Sequence, residues 1–222
     1  MCLYPKLIIN RKYTANKKNG GNIPAIQDER IKYVPIGCGR CIECMKRKAR
    51  DWQIRLLEEI RTSNKKAYFV TLTFSDESIA ELAKLHPSRN GYDLDNQILT
   101  MAVRRFLERY RKENKKSLRH WLISELGGNG TENIHAHGII WTENPEDIEK
   151  HWKYGYVWLG KQKNGTYKNY VTEKTVNYII KYVNKTDTLH KNYKPIVLTS
   201  PGIGNSYTKR QDALRTVIQK RC

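Results

Sequence analysis

Ile134-His135-Ala136-His137-Gly138-Ile139-Ile140-Trp141 alternates in period two, so on an extended strand both histidines project from one face, about 7 Å apart along the axis. Leu118 to Glu125 reads as a second strand, and Gly127-Gly128-Asn129-Gly130-Thr131 between them is a turn-forming cluster. Together they predict an antiparallel hairpin. With the turn centred near Gly130, Glu125 falls opposite His135 and Ile123 opposite His137, with same-face Cβ atoms about 5 Å apart. Glu125, His135 and His137 then form a candidate metal site. Two imidazoles and a carboxylate with open positions suit Mg²⁺ or Mn²⁺ holding a phosphate oxygen, which the ion polarises as a Lewis acid. The same ligand types suit a zinc hydrolase, and His-x-His alone is equally compatible with a polar sheet face.

Outward from the hairpin the pattern alternates between helix and strand. Upstream, Tyr68, Val70, Leu72 and Phe74 fall on one strand face and Phe69, Thr71 and Thr73 on the other. Met45, Ala49, Trp52, Leu56 and Ile60 recur at helical spacing from Ile42 to about Thr62, and Ile98, Met101, Ala102, Phe106 and Tyr110 do so from about Leu94 to Asn114. Both helices are basic on their outer faces, with Lys46, Arg47 and Arg50 on the first and Arg104 and Arg105 on the second. Residues 1 to 37 look irregular or extended. Downstream, Asn144-Pro145-Glu146-Asp147 opens a short helix, Gly155 to Leu159 an edge strand, and Thr172 caps a helix to Asn184. Ser200-Pro201-Gly202-Ile203-Gly204 is a loop, and Gln211 to Gln219 a last helix.

In the helix before Lys185, Val176, Ile179, Ile180 and Val183 form the apolar stripe, leaving Tyr178, Tyr182, Lys181 and Lys185 on the other side. A phenol is a weak nucleophile at neutral pH, but it can attack a phosphodiester whose phosphate a metal polarises, with lysines balancing charge. Exposed tyrosines also serve as base-stacking platforms, and the spacing alone does not separate the two roles.

The chain of 222 residues carries 41 Lys+Arg against 22 Asp+Glu, a net charge of +19 that points to a polyanionic partner. With Trp121, Trp152 and Trp158 interleaved among the basic residues, the pattern suits single-stranded nucleic acid, bound in a salt-sensitive way. No apolar run reaches the length of a membrane helix, and the N-terminus has no signal-peptide order, so no membrane partner and a cytosolic location are expected. Cys38-x₂-Cys41-x₂-Cys44 sets three soft ligands at a helix start, and Cys2 is the candidate fourth for a structural Zn²⁺. Reduced packing thiols and an iron–sulfur site are the alternatives.

Phe69 to Phe74, His135-Ala136-His137 and Tyr178 to Lys185, in that order, resemble the three motifs of the HUH endonucleases, and among them the rolling-circle replication initiators of Microviridae, the small single-stranded DNA phages. Glu125 matches the third metal ligand, and Cys38 to Cys44, Trp52 and Ser200 to Gly204 resemble stretches of the microvirus branch. The resemblance implies an α+β fold with a ferredoxin-like central antiparallel sheet and flanking helices. It implies a single HUH endonuclease domain over 1–222, with 1–50 an N-terminal Cys-rich arm and basic helix start, 60–190 the catalytic core and 191–222 a C-terminal extension. It implies catalysis by Tyr178, Tyr182, Lys181 and Lys185 on single-stranded origin DNA, through a 5′-phosphotyrosine adduct and a free 3′-hydroxyl. The setting would be the cytoplasm of a bacterial host, whose helicase and polymerase would act as partners because the chain carries no P-loop. Other readings are a zinc-anchored nucleic-acid-binding module without catalysis, and a relaxase or transposase of the same superfamily.

Overall fold

The computed structural model describes residues 2–128, 132–162, 164–167, 171–184, 190 and 192–209. It divides into two compact units that meet in sequence between Ala49 and Arg50.

In the first unit, β1 (Lys6–Ile9) pairs antiparallel with β2 (Tyr33–Ile36), Lys6 facing Ile36 and Ile9 facing Tyr33. The sequence pattern predicts only irregular or extended chain here. The ribbon leaves no trace in that pattern because almost all its side chains are exposed, so no alternation marks it. Asn10 and Asp28 cap short 3₁₀ turns, their side-chain oxygens accepting from the Lys12 and Arg30 amides at 3.1 and 2.9 Å. The helix α1 (Ile42–Thr62) begins in this unit and continues into the second.

The second unit is built on β3 (Ala67–Leu72). A short helix α2 (Asp76–Ala83) and the long α3 (Gly91–Asn114) follow, then the hairpin of β4 (Arg119–Leu126) and β5 (Ile134–Trp141). After these come α4 (Glu146–His151), β6 (Val157–Trp158), α5 (Glu173–Asn184) and β7 (Val197–Thr199). The five strands form one sheet in the order β6-β3-β5-β4-β7, with every neighbouring pair antiparallel. This is an α+β architecture, a five-stranded antiparallel sheet with helices on both faces, consistent with the HUH endonuclease fold.

Parity decides which side chains meet which layer. Val70 and Leu72 of β3, Leu122 and Leu126 of β4, and Ala136 and Ile140 of β5 join Leu99, Val103 and Phe106 of α3 in the main core. The opposite face carries Trp121, against which Trp52 of α1 packs edge-on at 5.7 Å between ring centroids. Gln53 of α1 donates to Asn177 of α5 at 2.6 Å, so these two helices share that face.

In the second unit, two elements likewise have no counterpart in the sequence expectation: α2, capped by Ser75 accepting from the Ser78 amide at 3.3 Å, and the three-residue β7. The centre of the hairpin turn and the helix over Gln211 to Gln219 lie outside the described residues.

Candidate metal centre and tyrosine pair

The hairpin register is the one that the turn position predicts, Glu125 facing His135 and Ile123 facing His137. Gly138 makes the close approach possible: a Cβ there would run into the Trp121 carbonyl oxygen and lie 2.8 Å from Leu122 Cα. Glu125 Oε2 lies 3.3 Å from His135 Nε2 and 2.8 Å from His137 Nε2. The far side of each ring is engaged as well. His135 Nδ1 is 3.2 Å from the Asn133 carbonyl oxygen, and His137 Nδ1 is 3.0 Å from the Thr71 hydroxyl. A cation at the two Nε2 atoms needs the ring protons on Nδ1, and both Nδ1 atoms have an acceptor to receive them. The donor set therefore fits a divalent ion. The three side chains are 12–19% exposed, which leaves the centre open on one side.

The tyrosines meet this centre. Val176, Ile179, Ile180 and Val183 bury their stripe of α5 as the spacing predicts, which turns Tyr178 and Tyr182 outward. The Tyr182 ring stacks on His137 at 5.0 Å and 20°, and Tyr178 contacts Phe69 edge-on at 6.0 Å. The two phenol oxygens are 2.6 Å apart. Burial, the bond to Tyr178 and the Glu125 carboxylate together push the Tyr182 phenol well above its ordinary pKa. Phe69 also lies parallel to His137 at 6.1 Å and edge-on to Trp158 at 5.7 Å, walling the site. No motif marks Asn133, and the Phe69–Phe74 motif does not by itself give Thr71 its contact with His137 or Phe69 its place in a wall with Trp158. Their contribution depends on β3 lying beside β5, with Thr71 opposite His137, a pairing of strands distant in sequence.

Lys181 is exposed on the same helix, and Lys185 lies outside the described residues. Arg104 and Arg105 are exposed on α3, which packs against the sheet face opposite the histidines, so the fold does not bring them to this site. Lys46 and Arg47 are exposed on the first unit's part of α1, and Arg50 at the start of the second unit's part. Trp121 and Trp152, expected among base-stacking groups, are buried, and Trp158 is the exposed one of the three. Cys2, Cys38, Cys41 and Cys44 gather in the first unit. A third group, Glu113, Asp147 and His151, is crossed by an ion pair from Lys150 to Glu113.

A family model of replication-associated proteins, the ORF2 type among them, matches residues 67–187, more than half of the chain. The chain belongs to this family. It is an HUH Rep-like protein, and the match runs from the first residue of β3 through the whole of α5, taking in Glu125, both histidines and both tyrosines. The four clustered cysteines of this replication-associated protein, and Lys46, Arg47 and Arg50, fall before the matched segment. Neither a curated protein nor a solved structure matches the chain. Among the described residues, no helix is long and apolar enough to cross a membrane.

Proposed function

We propose that this protein initiates rolling-circle replication by nicking single-stranded origin DNA through a tyrosine transesterification, and later rejoins the ends. One observation carries the reading: Tyr182, whose phenol oxygen lies 2.6 Å from that of Tyr178, stacks directly on His137 of the Glu125–His135–His137 group, so the tyrosine pair and the candidate phosphate-binding centre lie on one face. Mg²⁺ or Mn²⁺ held by these three residues would polarise the scissile phosphate and offset the charge that develops on it. Thr71 and Asn133 orient the two imidazoles. Phe69 and the exposed Trp158 offer surfaces for the bases flanking the scissile phosphate.

In the chemical step one phenol oxygen forms the bond to phosphorus while the bond to the 3′ oxygen breaks. The phenol proton passes to solvent, and the leaving oxygen is protonated to a free 3′-hydroxyl. The energy of the broken ester is retained in the 5′-phosphotyrosine, so attack by the second tyrosine on the regenerated origin, and of a 3′-hydroxyl on the first adduct, can close the displaced strand. Lys181, exposed on the tyrosine helix, and Lys185 supply positive charge for the backbone. The setting we propose is a microvirus-type phage in a bacterial cytoplasm, with the host helicase and polymerase unwinding and copying the template.

The test is incubation with a set of phage-origin oligonucleotides and Mn²⁺, with and without EDTA, followed by denaturing gel electrophoresis. A metal-dependent shifted band is expected, and Tyr178→Phe combined with Tyr182→Phe should abolish it while leaving DNA binding within about twofold, since a phenol-to-phenyl change keeps the stacking face. Reversible binding with no adduct on any origin would support the non-catalytic binding module instead. An adduct that persists in the double variant would overturn the tyrosine assignment.

A further inference from the structure

Cys2, Cys38, Cys41 and Cys44 place their sulfur atoms within 4.8 Å of one another, with Cys2 Sγ 3.8 Å from Cys41 Sγ. All four are free thiols. A disulfide would need about 2.05 Å. Four sulfurs held at about 2.3 Å by one tetrahedral ion are instead spaced by roughly 3.8 Å, the separation of the Cys2–Cys41 pair. The backbone is arranged for ligands that carry negative charge. The Cys38 amide donates to Cys2 Sγ at 3.2 Å, and the Arg40 and Cys41 amides donate to Cys38 Sγ at 3.4 and 3.3 Å. Gly39, at φ +74°, turns the chain so that these two amides point back at Cys38.

A second, independent observation concerns the core. Among the described residues up to Ala49, the buried ones are Cys41, Cys44 and Ala49 alone, while Leu3, Tyr4, Leu7, Ile9, Ile23 and Ile42 stand exposed. A two-stranded ribbon is marginal by itself, and a unit of this size without an apolar interior relies on a staple. The cysteine cluster sits where that staple is needed.

We propose that these four cysteines bind a single Zn²⁺ in a closed tetrahedral tetrathiolate site, and that folding of residues 2–49 is coupled to it. Each thiol releases its proton to solvent as the ion enters, with no change of oxidation state. Sulfurs packed this closely enclose one ion and leave no space for the inorganic sulfide of an iron–sulfur cluster. The proposal concerns residues outside the family match and is independent of the nicking reaction.

Metal analysis by mass spectrometry on the full-length protein tests it. Wild type and a His135→Ala/His137→Ala variant should each keep one zinc equivalent through dialysis against EDTA and release it to a mercurial reagent. Cys2→Ser and Cys41→Ser should lose that equivalent. Because a serine variant can simply fail to fold, two measurements on wild type stand beside it. Protein reconstituted with Co²⁺ should show the intense thiolate-to-cobalt charge-transfer absorption and the visible bands of a tetrahedral site. Stripping the metal should raise amide exchange in residues 2–49 by about tenfold or more while leaving β3 to β5 unchanged. The proposal is overturned if wild type holds no such zinc and its thiols react freely in the native state. Bound iron in place of zinc, or cobalt protein without the thiolate band, would overturn it equally.

Discussion

Thr71 lies on the face of β3 that looks toward the histidines, and its hydroxyl 3.0 Å from His137 Nδ1 is the group that fixes that ring. Partners of this kind typically change metal affinity by about 10–100-fold. Thr71→Val, isosteric and without the hydroxyl, should therefore weaken Mn²⁺ binding by about that factor, read by calorimetric titration, with little change in melting temperature. An unchanged affinity would reduce Thr71 to a packing residue. His120 makes a different prediction, because it is buried on β4 with Nδ1 2.9 Å from the Leu118 carbonyl oxygen and 3.0 Å from the Ser200 hydroxyl. Burial, reinforced by the neighbouring Arg119 guanidinium and opposed by the Leu118 bond, lowers its pKa. The folded state then binds fewer protons than the unfolded chain, whose histidine titrates near 6.5. His120 thus contributes its full stability above about pH 6.5 and loses it as pH falls toward the folded pKa. Melting temperature should drop on acidification through that window, and His120→Gln should flatten this part of the profile. A variant with the same acid slope as wild type would assign the slope to another group.

At the level of elements, the hairpin carries the tightest constraint. Gly138→Ala forces a methyl group against the Trp121 carbonyl and the Leu122 backbone, and should cost about 1–3 kcal/mol in urea denaturation. A neutral result would mean that β4 and β5 separate more readily than their packing implies. The hairpin is legible in the sequence because its information is local: two alternating runs and a glycine-rich turn fix parity and register together. The buried stripe of α5 and the start of α4 are legible for the same reason. What escapes is what depends on long-range pairing or on short, exposed elements. β1, β2 and β7 are three or four residues each and bury too little to alternate clearly. The helix α2 starts with a good cap but buries only Leu82. Arg104 and Arg105 are legible as exposed and basic, whereas the face of the sheet that α3 covers is not, since either side is open to an amphipathic helix until strand order is known. The stack of Tyr182 on His137 likewise joins α5 to β5 across the fold, and no spacing in the sequence encodes it.

Across the second unit, the segments flanking the family match are tied to it by one acidic residue. Glu59 of α1, buried, pairs with the Arg119 guanidinium of β4, with Arg119 Nη2 2.7 Å from Oε2, and accepts from the Gly204 amide at 2.8 Å. Arg119 donates in turn to the carbonyls of Pro201 and Gly202 at 3.2 and 3.1 Å. The Arg119 side chain offsets the rise that burial alone would impose on the Glu59 carboxyl, whose pKa ends below its ordinary value. Gly204 is needed at the contact, since its φ is +61° and a side chain would strike the Arg55 carbonyl. A fragment of residues 67–187 lacks Glu59, Trp52, β7 and this loop, and should expose the Trp121 side of the sheet, aggregating where residues 50–209 stay monomeric in size-exclusion chromatography. Equal behaviour of the two fragments would show the flanks to be dispensable. The smallest piece worth expressing, or fusing to another protein as a DNA-attachment tag, is accordingly drawn by a carboxylate eight residues upstream of the family match, and cutting at the family's own boundaries would sever the clasp that closes the sheet's outer flank.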